Sequence, residues 1–398
     1  MAQSKRGCGC LIATLVIVLG ALGAVGYKFA LPWWKQKPPP PSGKELQVHV
    51  LDVGPGDGDA ILIISPEGKT VLVDAGDAGK GKAAVLDALK RYNVQGLDLF
   101  IATHAHPDHI GGAAEVLKTV KAAIVLHNNF LPPEMNTEET ATKGKQSNSN
   151  NKQSGAKKQP ALPKRLAGKT IELPTTKAYN DFKSAAEASG GEFKAAEPGQ
   201  KYDLGGGAFL TVLAPIQPFF TKEQMSAGGN QPNANSIVLR LDYGDFSMLL
   251  TGDAESQTEE RMMSKSADLN AKVLKVAHHG SKYATSEDLL KRVQPEVAII
   301  SDGEYNRYGH PAQAVLDRLK AVNAKVYRTD LQGEVTITTT GKMKDGKLYE
   351  MKTGKEARSD VLTGREAQKD DSARSGFVAY GDFGPPPRPP KEKGAKSK

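Results

Sequence analysis

The chain has 398 residues, enough for two or three domains of ordinary size. Its two cysteines, Cys8 and Cys10, exclude a disulfide scaffold and any cysteine-ligated metal site in the body of the chain. The formal charge of +8 does not mark a nucleic-acid-binding core. Residues 44–131 hold 8 Lys/Arg against 11 Asp/Glu and residues 169–342 hold 20 against 22, so the basic surplus belongs to the segments around them.

Leu11 to Tyr27 form an uncharged, largely apolar run, extended by Phe29, Ala30, Leu31, Trp33 and Trp34 with Lys28 as the interruption. A helix of about 20 such residues crosses a bilayer if Lys28 reaches to the interface. Lys5 and Arg6 precede the run, which orients the remainder outside the cytoplasm, and the Trp pair supplies an interfacial belt. The reading favoured is an uncleaved anchor over residues 11–34 behind a cytoplasmic segment 1–10. A cleaved signal peptide is the alternative, with small residues at Ala21, Gly23, Ala24 and Gly26. Residues 35–44, with four consecutive prolines, read as a stiff linker.

The stretch from Leu46 to Gly76 then predicts three short strands separated by Gly/Asp and Pro-Glu-Gly turns. A helix over Ala83–Tyr92, the strand LDLFIATH, a helix over Gly112–Val120 and a strand over Ala122–Leu126 follow. Residues 132–165 are a polar low-complexity insertion expected to stay unfolded. Strand patterns resume at AFLTVLAP, NSIVLRLDYGDFSMLLTGD and AKVLKVAHH, with helices near Glu255–Ser264 and Ser286–Val293. Strand VAIIS, helix Pro311–Val322, strand KVYRT and the hairpin EVTITTTGK close the folded region at 342, with Tyr349–Met351 as an optional edge strand and a polar, Pro-rich tail over 343–398. Alternating strands and helices mixed with hairpins predict an α/β protein, an α/β/β/α sandwich of two mixed sheets spanning 45–342.

Six of the eight histidines fall in three places: His104, His106 and His109; His278 and His279; and His310. The block Thr103-His104-Ala105-His106-Pro107-Asp108-His109 follows an apolar strand directly, so a strand-to-helix turn directs three imidazoles and a carboxylate into one cavity. Those are the ligands of zinc and similar divalent ions. Asp74, Asp253 and His278 each close a further apolar strand near a glycine, where an α/β architecture presents its functional side chains. One such Asp-Gly is an ordinary turn; its recurrence with matching ligand types carries the metal reading. The Gly54-Pro55-Gly56-Asp57-Gly58 run lacks the strand–helix context of a nucleotide loop.

In these motifs and their order the chain resembles the metallo-β-lactamase-fold hydrolases over about residues 46–341. Within them it is similar to the hydrolase domain of the ComEC/Rec2 DNA-uptake proteins, through VHVLDVGPGDGDAILI, NANSIVLRL, AHHGS and the late Asn306-Arg307-Tyr308-Gly309-His310-Pro311 block. The resemblance implies two divalent metal ions, zinc by default, with manganese or magnesium as alternatives. By it His104 and His106 bind one ion, Asp108, His109 and His278 the other, and Asp253 bridges them. Asp74 accepts hydrogen bonds from ligand imidazoles. Asn235 or water stands where most of the superfamily has a ligand histidine. Asp108 orients an activated water, and His310 contacts the substrate oxyanion or leaving group, or else caps the following helix. His279 contacts substrate or makes a structural hydrogen bond. The implied activity is phosphodiester hydrolysis, with DNA as the substrate and the membrane as a partner through the N-terminal helix. A hydrolase of another exported substrate, such as a cell-wall or lipid phosphodiester, a lactam or a lactone, is the alternative, and a non-catalytic metal-stabilised module is the third.

Overall fold

The computed structural model describes residues 45–54, 56, 58–135, 174–225, 229–304, 306 and 308–356, all in the unit Pro41–Lys398. The expected anchor at 11–34, the linker, almost all of the insertion and the tail beyond Glu356 lie outside the described residues. Among the described residues no helix is long and apolar enough to cross a membrane.

The chain runs through β1 (Leu46–Val50), β2 (Ile61–Ile64), β3 (Thr70–Val73), helix α1 (Lys80–Arg91), β4 (Leu97–Ala102), the short helix α2 (Pro107–Ile110), α3 (Ala113–Thr119) and β5 (Ala122–His127). Past the insertion come α4 (Pro174–Ala188), β6 (Glu192–Ala195), β7 (Lys201–Gly205), β8 (Ala208–Ala214), α5 (Gln231–Ala234), β9 (Val238–Tyr243), β10 (Phe246–Leu250) and α6 (Ser256–Ser264). The remainder is β11 (Val273–Lys275), α7 (Glu287–Val293), β12 (Val297–Ile300), α8 (Gln313–Ala321), β13 (Lys325–Arg328), α9 (Thr329–Gln332), β14 (Val335–Thr339) and β15 (Glu350–Thr353).

These strands make two sheets, in the orders β15-β14-β1-β2-β3-β4-β5-β6 and β13-β12-β11-β10-β9-β8-β7. Each sheet is mixed. Neighbours from β15 to β3 are antiparallel and from β3 to β6 parallel; those from β7 to β10 are antiparallel and from β10 to β13 parallel. Strands such as β3 (TVLV) and β12 (VAII) are buried at every residue, because each parallel region is covered on both faces.

Three apolar layers account for the architecture. Val48, Ile63 and Leu99 of one sheet pack against Leu210, Leu241 and Met248 of the other in a central layer. The outer face of the first sheet, with Leu72 and Phe100, is covered by Val85, Val116 and Phe182 from α1, α3 and α4. The outer face of the second, with Leu249 and Leu274, is covered by Met262, Leu290 and Leu316 from α6, α7 and α8. The α/β/β/α order expected from the pattern of elements is therefore the one observed. Two differences concern its extent. The optional edge strand at Tyr349–Met351 is present as β15, which pairs antiparallel with β14, so the sheet continues past the boundary expected at residue 342 to Thr353. Residues 166–207, to which the sequence pattern assigned no element, supply α4, β6 and β7.

Candidate metal centre

Parallel strands end side by side, and the candidate ligands stand at those ends. Asp74 follows β3, Thr103 and His104 follow β4, Asp253 lies three residues past β10, and His278 lies three residues past β11. β3 pairs with β4 and β10 with β11, so each sheet delivers two neighbouring chains to the same edge. His106 is the extended residue before α2, Pro107 begins that helix, and Asp108 and His109 follow within its single turn.

Asp253 is the meeting point. Its Oδ1 lies 3.3 Å from His109 Nε2 and 3.6 Å from His279 Nε2, while its Oδ2 lies 3.8 Å from both His104 Nε2 and His278 Nε2. Asp108 Oδ2 stands 3.5 Å from His279 Nε2 and 3.7 Å from His109 Nε2. Among the described residues four sets of donor atoms lie within 4.8 Å of one another: His104, His109 and Asp253; Asp108, His109 and His279; Asp59, Asp74 and His109; and Asp59, Asp253 and His279. His106 joins through its Nδ1, 2.9 Å from His104 Nε2.

Hydrogen bonds on the far side of the rings set which nitrogen faces the cluster. Asp74 accepts from Thr103 N at 2.8 Å and Thr103 Oγ1 at 2.7 Å, and its Oδ2 accepts from His109 Nδ1 at 2.7 Å. His279 Nδ1 donates to the Ser301 carbonyl at 2.9 Å, and His104 Nδ1 donates to Thr103 Oγ1 at 3.1 Å. In all three rings Nε2 is the nitrogen turned toward Asp253, the one a metal ion would take up. His109 Nε2 and Asp253 Oδ1 are fully buried, and neither has a hydrogen-bond partner of normal geometry. Buried polar atoms left in that state are costly, and a divalent cation among them satisfies both.

The electrostatics point the same way. Burial opposes charge on His109, but Asp253, Asp74 and Asp108 outweigh it and raise the ring well above its ordinary range. Burial likewise opposes charge on Asp253, and His109, His279 and His278 overcome it and hold the carboxyl well below its ordinary range. The cluster demands positive charge at its centre, and the residues present fit divalent metal.

Residues 53–179 match the family model described as the metallo-beta-lactamase superfamily. The chain is 29% identical over 307 residues to ComE operon protein 3 of Bacillus subtilis, covering 73% of this chain and 33% of that protein. It is also 29% identical over 297 residues to Recombination protein 2 of Haemophilus influenzae, covering 73% and 28%. A shorter match, 41% identical over 102 residues, covers 25% of this chain and 15% of Competence protein ComA of Neisseria gonorrhoeae. Over residues 53–179 the chain is thus similar to the metallo-β-lactamase superfamily. It spans at most about a third of the length of these curated relatives.

Three placements differ from those the resemblance implied. His279, not His278, stands with Asp108 and His109, while His278 faces the Asp253 oxygen that His104 also faces. The backbone is the reason. His278 and His279 both take left-handed conformations, φ 50° and 52°, so the alternation of a strand does not carry through. Asn235 does not reach the cluster. Its Oδ1 accepts from Phe220 N and its Nδ2 donates to the carbonyls of Phe220 and Gln231, which fastens α5 to the preceding loop. Asn233, two residues earlier, is the amide that turns inward, its Nδ2 3.0 Å from His278 Nε2.

Asp59 and Lys275 were missed. Asp59, buried, has Oδ1 3.7 Å from His279 Nδ1, and its Oδ2 pairs at 2.9 Å with the fully buried Lys275 Nζ. A carboxylate in a Gly/Asp stretch reads as a turn and a lysine closing a strand reads as solvated, so no local signal marked either.

A cavity of about 420 Å³ opens over the cluster, with Asp108, Asp253, His278 and His279 at its base and Tyr283, Tyr308 and His310 also in its wall. Asn306, wholly buried, accepts from His310 N at 2.7 Å and donates to His310 O at 2.8 Å, and so fixes where that ring stands. Burial, then His279 and His278, push the His310 ring down to about 3, so it is neutral at physiological pH.

Proposed function

We propose that the chain is a metal-dependent phosphodiester hydrolase whose substrate is nucleic acid and which acts outside the cytoplasm. One observation carries the catalytic part: the buried convergence of His104, His109, Asp253, Asp108 and His279 beneath an open cavity. Relatives named for competence and recombination support nucleic acid as the substrate. The apolar run from Leu11, preceded by Lys5 and Arg6, supports an anchored, exported placement.

His104, His109, Asp253, Asp108 and His279 would hold the metal, with His106 and His278 alongside. When bound, divalent ions supply Lewis acidity to the reacting oxygen atoms. The chain's own groups do the rest. Asp74 and the Ser301 carbonyl hold His109 and His279 in the ligand tautomer. Asp108, half-buried at the cavity base, is placed to orient an attacking water. His310, neutral and clamped by Asn306, donates a hydrogen bond to a substrate oxygen from the cavity wall.

The full-length chain supplied with zinc or manganese is expected to cleave bis(p-nitrophenyl) phosphate, to lose that activity in EDTA and to regain it on adding metal. His109→Ala and Asp253→Ala should each lower the rate by more than about 100-fold, beyond the usual cost of losing an outer hydrogen-bond partner. A chain that opens a chromogenic lactam and ignores phosphodiesters overturns the substrate class. A chain that binds metal and turns over no ester overturns the enzyme reading.

A further inference from the structure

Tyr308 is the most exposed large ring among the described residues, with 65% of its surface open, yet it lines the wall of the reaction cavity. Its plane is not arbitrary. The Tyr308 ring lies within 25° of the His310 ring at a centroid distance of 5.6 Å, and the His310 ring lies within 24° of the His279 ring at 6.4 Å. Three rings therefore stand in near-parallel succession from the cavity rim to the ligand cluster.

Two further features of the rim bear on what lies against that ladder. Tyr283 also lines the cavity, and the exposed ammonium of Lys282 stands 5.1 Å from its ring centroid, which places positive charge and a second aromatic ring near the opening. The cavity itself, about 420 Å³, is at the small end of ligand sites and has no room for a duplex at its base. A ring ladder, a rim cation and a narrow space together match one strand of nucleic acid, read by stacking rather than by base edges.

Resting on the phosphodiesterase reading, we propose that Tyr308 is a stacking platform that seats an unpaired nucleobase next to the scissile phosphate and so gives the site its preference for single-stranded nucleic acid. His310, behind the platform, keeps the ring at a fixed distance from the ligand cluster. The preference is for any base, because every base offers a flat face.

The experiment measures equilibrium binding, by fluorescence anisotropy, of short phosphorothioate-linked oligonucleotides to the full-length zinc-loaded chain. One oligonucleotide carries all its bases, a second is abasic at consecutive central positions, and a third is the first annealed to its complement. The parent chain should favour the first over the other two. Tyr308→Ala should weaken binding of the first by about tenfold to a hundredfold, one stacked base, and leave the abasic oligonucleotide unchanged; Tyr308→Phe should behave as the parent. Equal losses on based and abasic strands, or no loss, overturn the platform. A parent that hydrolyses bis(p-nitrophenyl) phosphate but binds based and abasic strands alike overturns the platform while leaving the phosphodiesterase intact. A parent that hydrolyses no phosphodiester overturns the reading beneath it.

Discussion

Lys275 ends β11 with its ammonium enclosed, donating to Asp59 Oδ2 at 2.9 Å and to the Val276 carbonyl at 3.0 Å. An ammonium is seldom placed so deep, and here it answers a local excess of negative charge. Asp59, Asp74 and Asp253 are all buried, and Asp108 stands beside them. One of these carboxylates is matched by a cation of the chain itself, which leaves the others to the histidines and to metal. Lys275→Met removes that cation and keeps the side-chain volume, so Asp59 becomes an uncompensated buried charge. The expected cost is about 3–5 kcal/mol, read as a lower urea midpoint. The double variant Lys275→Met, Asp59→Leu should recover most of that loss, since replacing both partners leaves nothing unpaired. A single variant as stable as the parent would show that water reaches Asp59 and that the pair is not a sealed one.

The turn after β11 shows how an element, rather than a residue, delivers chemistry. His278 and His279 take left-handed conformations in succession, each a cost of order 1–3 kcal/mol that the surrounding packing must sustain. Gly280 follows at φ 83°, and a Cβ there would come within 2.5 Å of Pro311 Cβ. Gly280→Ala is therefore expected to destabilise the chain by about 2 kcal/mol and to weaken zinc retention, because the clash is relieved only by moving His279 or the His310 loop. Unchanged melting temperature and zinc content would count against this. The same turn marks a boundary of what the sequence discloses. The His104–His109 block is legible because its donors are contiguous and follow a strongly apolar strand, and the strand-end positions of Asp74 and Asp253 are legible for the same reason. Which of two adjacent histidines faces Asp108 depends on backbone angles that no residue pattern declares. Asn233 and Asn235 present the same difficulty in the short helix α5. Helix α4 was within reach, since Tyr179, Phe182, Ala185 and Ala186 recur at helical spacing, but it adjoins a low-complexity stretch that masks the signal.

At the scale of the whole chain, the pairing of β1 with β14 joins residues almost 300 positions apart, and the site depends on it because β1 leads into the Asp59 turn. Glu334, just before β14, fastens this closure to the outer helix. Its carboxylate accepts from Tyr92 Oη at 2.6 Å, Arg91 Nη1 at 2.6 Å and His49 Nδ1 at 3.1 Å. Burial works against charge on Glu334, but the hydrogen bonds from His49, Tyr92 and Arg91 outweigh it and hold the carboxyl down at about 2. A carboxyl depressed by folding lends stability that is complete above its ordinary range and drains away as the pH falls from the ordinary carboxylate range toward 2. Glu334→Gln keeps the shape and removes the charge. At pH 7 it should cost about 2 kcal/mol, the usual worth of hydrogen bonds to a charged acceptor. Its deficit relative to the parent should then shrink steadily between about pH 5 and pH 2, because the parent loses over that interval what the variant never had. Thermal or urea midpoints for both proteins across that interval check the sign. A deficit that stays constant with pH would mean that the loss comes from the mismatched hydrogen-bonding groups of the amide, and that the closure of the first sheet does not draw on the charge of Glu334.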